Sequence, residues 1–200
     1  MSLFRKRSEA TTLEELKQEW NDCKQCPFYA QRHSVVLAQG IPGKGKLYVV
    51  GQGPAGEEDK TGIPFSGAAG KLCRKLFASA NIPDEEIIWS NILCCVTFKD
   101  SKVRKDWVEN CWERVEAELR IFKPKAIVTL GRPAAERFCP SVANDKEAAA
   151  KKFMYEGIPG ITANHPAVLL RATGREKTRW AEKVNQDMEN VKVLYSKFCR

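Results

Sequence analysis

The stretch LYVVGQGPAGEEDKTGIPFSGAAG, residues 47–70, decides how the rest of the chain is read. It opens with four apolar residues closed by a glycine, the pattern of a short strand buried on both faces that feeds a tight turn. The turn then carries almost no side chain, three acidic residues follow it, and Pro64 and Phe65 sit among further glycines. A backbone so bare admits close approach of a ligand, and an aromatic ring next to a proline offers that ligand one fixed flat surface.

Working outward, strands and helices alternate. GAAGKLCRKLFASANI places Leu72, Leu76 and Phe77 at helical spacing, and PDEE turns the chain into a second strand predicted over 87–95. A charged helix over 106–122 leads through Pro124 to a third strand, AIVTLG at 126–131, and a helix over 132–139. The polar stretch SVANDKEAAAKKF reads as a surface connection, IPGITANHP at 158–166 as a fourth strand, and a long charged helix closes the chain. Upstream, residues 12–22 form an amphipathic helix with Leu13 and Leu16 on one face, running into Cys23. The alternation predicts an α/β fold with four strands in a mostly parallel sheet covered on both faces. Ligands of such sheets bind at the C-terminal strand ends, where this chain puts GQGP, Ser90 with Asn91, and His165.

A chain of 200 residues suits one compact domain, expected here over 1–200. No apolar run approaches the ~20 residues needed to cross a bilayer, so no membrane partner is expected. The basic start MSLFRKRSEA leads straight into TTLEELKQEW without the apolar core of a secretory signal, which predicts a cytoplasmic protein. The formal net charge of +8 favours polyanions such as nucleic acid. Nothing in the sequence demands more than a monomer.

Eight cysteines without an export signal are expected to stay reduced, so those that act together read as metal ligands. Cys23 and Cys26 form a C-x2-C pair; Cys95 and Cys111 form a second pair, with Cys94 competing for the place of Cys95. Four thiolates from two segments suit zinc or a 4Fe-4S cluster, and spacing alone does not choose. Cys73, Cys139 and Cys199 lack partners at useful spacing and read as ordinary buried cysteines.

Taken one at a time, Asn91 reads as a residue that satisfies a strand end and His165 as a turn cap before Pro166. Together, G51-Q-G-P, E57-E-D-K-T-G-I-P-F-S-G-A-A-G70, N91-I-L-C-C95, V128-T-L-G131 and H165-P-A-V-L-L-R171 resemble the family 4 uracil-DNA glycosylases, the iron-sulfur branch of that superfamily. The likeness runs from residue 23 to about 172 in matching order and spacing.

The resemblance implies a three-layer α/β/α sandwich with a central four-stranded parallel sheet, acting on uracil-containing DNA. The uracil is flipped from the stack and its N-glycosidic bond hydrolysed, leaving an abasic site. By motif, Phe65 stacks on the base while Pro64 and the glycines around it admit the nucleotide, Gly53 contributes to uracil binding, Asn91 reads the pyrimidine edge and His165, catalytic with Gln52, donates to uracil O2. Leu169 and Leu170 fill the gap left by the base, and at least one of them is expected to pack in the core. Arg171 and Arg175, with Lys177 and Arg179, face phosphates; Lys99, Lys102, Arg104 and Lys105 make a second basic group. The resemblance also implies a 4Fe-4S cluster, rather than zinc, on Cys23, Cys26, Cys95 and Cys111, with an iron-sulfur-binding segment over about 12–35.

The family usually reads Gly-Glu-Ala/Gly-Pro-Gly at its first motif, and here Gln52 and Ala55 depart from it. Gln52 holds water by hydrogen bonds but supplies no negative charge, and Ala55 adds a Cβ. Glu57, Glu58 and Asp59 are expected to anchor the loop and to charge a helix N-terminus. Two other readings follow: a glycosylase-fold binder of DNA or a damaged base with weak activity, and a metal protein for electron transfer or docking.

Overall fold

The computed structural model describes residues 8–97, 102–145 and 147–200. Five strands form one sheet: β1 (Leu47–Gly51), β2 (Ile87–Asn91), β3 (Ala126–Leu130), β4 (Lys152–Tyr155) and β5 (Ile158–Ala163), in the order β2-β1-β3-β5-β4. β2, β1, β3 and β5 run parallel, and β4 pairs antiparallel with β5 at one edge. The helices are α1 (Leu13–Asn21), α2 (Gly56–Thr61), α3 (Ala68–Ser79), α4 (Lys105–Phe122), α5 (Arg132–Phe138), α6 (Val168–Arg171) and α7 (Gly174–Phe198).

Because side chains alternate across a strand, β1 sends Tyr48 and Val50 to one face and Leu47 and Val49 to the other. The first pair joins Ile88 and Ile127 in a core with Leu16 and Trp20 of α1, Trp112 and Val115 of α4, and Ala134 of α5. The second pair joins Trp89 and Val128 in a core with Cys73 and Phe77 of α3, and Met188, Val191 and Leu194 of α7. The result is the expected α/β/α sandwich, with apolar side chains sealed on both sides of the central strands.

The fifth strand corrects the expectation of four. Residues 152–155 alternate exposed and half-buried, with Met154 65% exposed, so the segment carries too little apolar signal to stand out from the polar stretch before it. Tertiary contacts make it a strand: the Phe153 ring lies over Gly160, where a Cβ would come within 2.2 Å of it. Glu156 and Gly157 both take positive φ (46° and 82°), as a two-residue hairpin turn requires.

Three strands are also shorter than predicted, β3 by Gly131 alone. β2 stops at Asn91 because Ile92 and Leu93 donate to the Gly51 and Gln52 carbonyls, at 2.9 and 3.0 Å, and the chain then turns toward the cysteines. β5 stops at Ala163, two residues short of His165.

Candidate active site

The parallel strands end together. Gly51 and Asn91 are register partners at the C-terminal ends of β1 and β2, and His165 follows β5 by two residues. A methyl group on Gly51 would lie 2.6 Å from Asn91 Oδ1, 3.1 Å from Phe65 Cζ and 3.7 Å from His165 Nε2. Three residues separated by up to a hundred positions therefore meet over one missing side chain.

Phe65 is held firmly. Its backbone takes φ +55°, and Gly70, the third residue of α3, clears the space: a Cβ there would come 2.2 Å from the Phe65 carbonyl carbon. Arg74 donates to the Pro64 and Phe65 carbonyls at 3.2 and 3.3 Å while pairing with Asp84 at 2.8 Å. The ring rests on Trp89, centroids 4.8 Å apart, and lies parallel to the His165 imidazole at 6.3 Å. The acidic run in the same loop anchors it. Glu58 accepts from the Ala55 and Gly67 amides at 3.1 and 2.9 Å, and Asp59 from those of His33 and Ser34 at 3.0 and 3.2 Å.

His165 has a defined tautomer. Its Nδ1 accepts the Ala167 N–H at 3.1 Å, so the ring proton belongs on Nε2, the nitrogen that faces Gly51. Burial, with the Arg171 charge adding to it, pushes its pKa down to about 4, so the ring is neutral at physiological pH. Asp187 on α7, which the sequence reading did not single out, braces this loop by accepting from the backbone and side-chain amides of Asn164 at 2.8 and 2.9 Å.

Gln52 and Gly53 lie beside the pocket. Gln52 lines a neighbouring cavity of about 550 Å³ with Lys102, Arg104, Lys105 and Arg132. Gly53 backs onto Leu93, whose Cβ would be 3.3 Å from an added methyl, so its close approach is to the chain itself. On the other side of the strand ends stands α6. Contrary to expectation, neither leucine there is buried: Leu170 is 54% exposed and Leu169 half-buried. Ala172 and Thr173 separate α6 from α7, so the leucines are not carried into the core by the long helix. Arg171, Arg175, Lys177 and Arg179 are exposed beyond them; Lys99 lies outside the described residues.

The cysteines gather on the α1–α4 side of the sheet, where Cys94, Cys95 and Cys111 are buried and Cys23 and Cys26 half-buried. Cys94 Sγ lies 3.8 Å from the sulfurs of both Cys95 and Cys111. Arg32 ties the two segments, donating to the Cys23 carbonyl at 2.7 Å and to Cys95 Sγ at 3.4 Å. Asn110 does the same from α4, reaching the Gln25 carbonyl at 2.9 Å and Cys26 Sγ at 3.5 Å. Neither was foreseen, although Asn110 directly precedes Cys111. The hydrogen bond from Cys94, helped by the Arg114 charge, lowers the Cys111 thiol, while burial raises Cys26 to about 11. Among the described residues, no three Cys, His, Asp or Glu side chains are arranged to hold a metal ion. The corner nonetheless offers an all-thiol donor set with N–H donors on two sulfurs, a surrounding that suits ligating thiolates. Cys73, Cys139 and Cys199 are buried elsewhere.

The family model of the uracil DNA glycosylase superfamily matches residues 38–189. The chain is 30% identical over 177 residues to a type-4 uracil-DNA glycosylase of Thermotoga maritima, covering 88% of this chain and 90% of that one. It is 28% identical over 168 residues to the type-4 enzyme of Sulfurisphaera tokodaii (80% and 76%) and 27% over 167 to that of Pyrobaculum aerophilum (80% and 85%). With the matched segment carrying the strand ends, Phe65, Asn91 and His165, this chain belongs to the uracil DNA glycosylase superfamily and, within it, to the type-4 uracil-DNA glycosylases.

Proposed function

We propose that this protein removes uracil from DNA by hydrolysing the N-glycosidic bond, leaving an abasic site for repair, with Phe65, Asn91 and His165 as the base pocket. The observation that carries this assignment is the convergence of one ring, one amide and one imidazole on Gly51.

The base must leave the stack before its bond is reached. Phe65 then supports its face. The Asn91 amide carries both an acceptor and a donor, matching uracil N3–H and O4; cytosine, with an amino group at C4 and no proton on N3, presents the reverse pattern. As the bond from C1′ to N1 breaks, its electron pair stays with the base, and negative charge gathers on O2. A neutral His165 with its proton on Nε2 donates to that charge without first having to lose or gain a proton. A donor placed in advance is worth ~10²- to 10³-fold in rate. Water completes the sugar as an alcohol and its second proton balances the departing base. Gln52, which follows Gly51, would hold that water by its amide.

Leu169 and Leu170 would fill the vacated stack, with Arg171 and Arg175 on phosphates. Cys23, Cys26, Cys95 and Cys111 would hold an iron-sulfur cluster, the occupant the family resemblance favours over zinc, which four thiolates also suit. When bound, that cluster supplies a cross-link between the N-terminal segment, the end of β2 and α4. The segment over 12–35 and the rest of the chain would act as one domain, working as a monomer on DNA in the cytoplasm; no helix among the described residues is long and apolar enough to cross a membrane.

The test is incubation of the anaerobically purified protein with a labelled oligonucleotide carrying one uracil, then alkali to cut abasic sites. Cleavage confined to the uracil strand is expected. Intact strands, with DNA binding measurable and iron fully loaded, would overturn it in favour of a binding module.

A further inference from the structure

Between the proposed base pocket and the cysteine corner lies a buried charged pair. Arg114 and Glu118, one turn apart on α4, are both 0% exposed and paired at 2.7 Å. Glu118 also accepts from the Ala38 amide at 2.8 Å and from the Tyr48 and Ser90 hydroxyls at 2.6 Å each. Arg114 spreads its fork differently: one Nη donates to Glu118 and, at 3.2 Å, to Ser90 Oγ, while the other donates to the Asn91 carbonyl at 2.5 Å. Burial opposes the guanidinium's charge, and Glu118 together with Cys94, Tyr48 and Cys111 more than offsets it, so Arg114 stays cationic. Its Nε is buried without a hydrogen-bond partner.

Stability does not account for this arrangement. Desolvating two charges costs so much that well-packed apolar residues of the same volume usually hold a fold as well or better. What the pair does achieve is local. Asn91 is the last residue of β2, and its side chain must stand 2.6 Å from where a Gly51 Cβ would be. A cationic fork with one prong on its carbonyl and the other anchored on Glu118 and Ser90 fixes the peptide from the opposite face of the sheet.

Resting on the role of Asn91 given above, the geometry assigns Arg114 as a positioning residue for base reading: it clamps the Asn91 carbonyl, through the fork it shares with Ser90 and Glu118, so that the Asn91 amide is held toward the pocket. Arg114 touches no substrate. Lysine at 114 keeps the charge beside Glu118 but has no second prong for Asn91.

The test compares the holoprotein with Arg114→Lys on the uracil oligonucleotide, recording iron per chain, Tm, kcat and KM. The clamp predicts normal iron, unchanged KM and a kcat lower by about tenfold or more, since small displacements of a reacting geometry are costly. In an Asn91→Ala background the same change should alter kcat by less than about twofold, because the clamp acts only through Asn91. A parental kcat in Arg114→Lys, or an equal loss in both backgrounds, overturns the assignment. Should Arg114→Lys fail to fold, Arg114→Met/Glu118→Met removes both buried charges together; a parental kcat there overturns the clamp, and a lowered kcat with KM unchanged supports it. The wild-type run separates the two claims: no uracil excision there refutes the pocket, whereas a parental Arg114→Lys refutes only the clamp.

Discussion

The proposed base pocket and the cysteine corner are built by different means. The pocket stands on three parallel strand ends, so sheet register delivers Gly51, Asn91 and His165 to one place, and side chains such as Arg74, Glu58 and Asp187 brace the loops between them. The corner joins a segment before the sheet to the exit of β2 and the face of α4. Besides apolar packing and the Val36 amide on the Cys94 carbonyl, it is held by side chains that cross the gap, Arg32 and Asn110 among them. A site on strand ends inherits the stiffness of the core, whereas a site between loops depends on whatever spans them. Each therefore fails in its own way.

The largest effects belong to the pocket and leave the fold alone. Gly51→Ala puts a methyl 2.6 Å from Asn91 Oδ1, the mobile end of a side chain, so Asn91 swings out of place at little structural cost. Excision should fall by ~10²-fold or more, as should that of His165→Ala through the lost donor, with Tm within a few degrees of the parent. Steady-state excision with a thermal melt alongside checks both. A large drop in Tm would mean that the pocket, too, is part of the scaffold.

Next comes the corner, with the opposite pattern. Cys111→Ser removes one thiol from the four, and iron content and Tm should fall together because ligand binding energy is folding energy. Excision per folded molecule at low temperature should fall far less than in Gly51→Ala. Iron analysis, melting and excision at two temperatures decide it; equal losses of activity in the two variants would erase the contrast.

A smaller effect is one of pH. The folded pKa of His165, about 4, lies below its ordinary value of 6.5, so the unfolded chain takes up this proton more readily than the folded one. The stability tied to neutral His165 is complete above pH 6.5 and is lost as pH falls from there toward 4. Denaturant titrations of the parent and His165→Gln across that range should converge as the pH drops. Excision should show no His165 limb between pH 5 and 8; one near 6.5 that vanishes in His165→Gln would contradict the depressed value.

The smallest effect on stability should come from Leu170→Ala. The side chain is 54% exposed, so its loss should shift stability by no more than ~0.5 kcal/mol. Excision from duplex should weaken more than from single strands, where no stack needs filling. Equal rates on both would remove Leu170 from the wedge.

Much of this was legible in the chain itself. LYVVG and AIVTLG read as buried parallel strands because their apolar runs are continuous and end in glycine, and both cores on the two sheet faces follow from their alternation. The aromatic at 65 and the two cysteine pairs were legible because each is marked by spacing: Pro64 and the glycines in one case, C-x2-C in the other. β4 was not, because an edge strand with half its residues in water carries little pattern. Arg32, Asn110, Asp187 and Arg114 were not either, since a charged or amide side chain looks alike in sequence whether it faces solvent or spans two segments.

By itself, then, the sequence determined the order of strands and helices, the bare turn with its fixed ring, and the residue types that chemistry would need, because these depend on local periodicity and on backbone sterics. Only the tertiary structure decided that Asn91, Phe65 and His165 share the space over Gly51, that His165 keeps its proton on Nε2, and that a buried Arg114 holds the carbonyl behind Asn91. Those are consequences of register, burial and long-range hydrogen bonds, which come into being when distant segments pack and which no local pattern encodes.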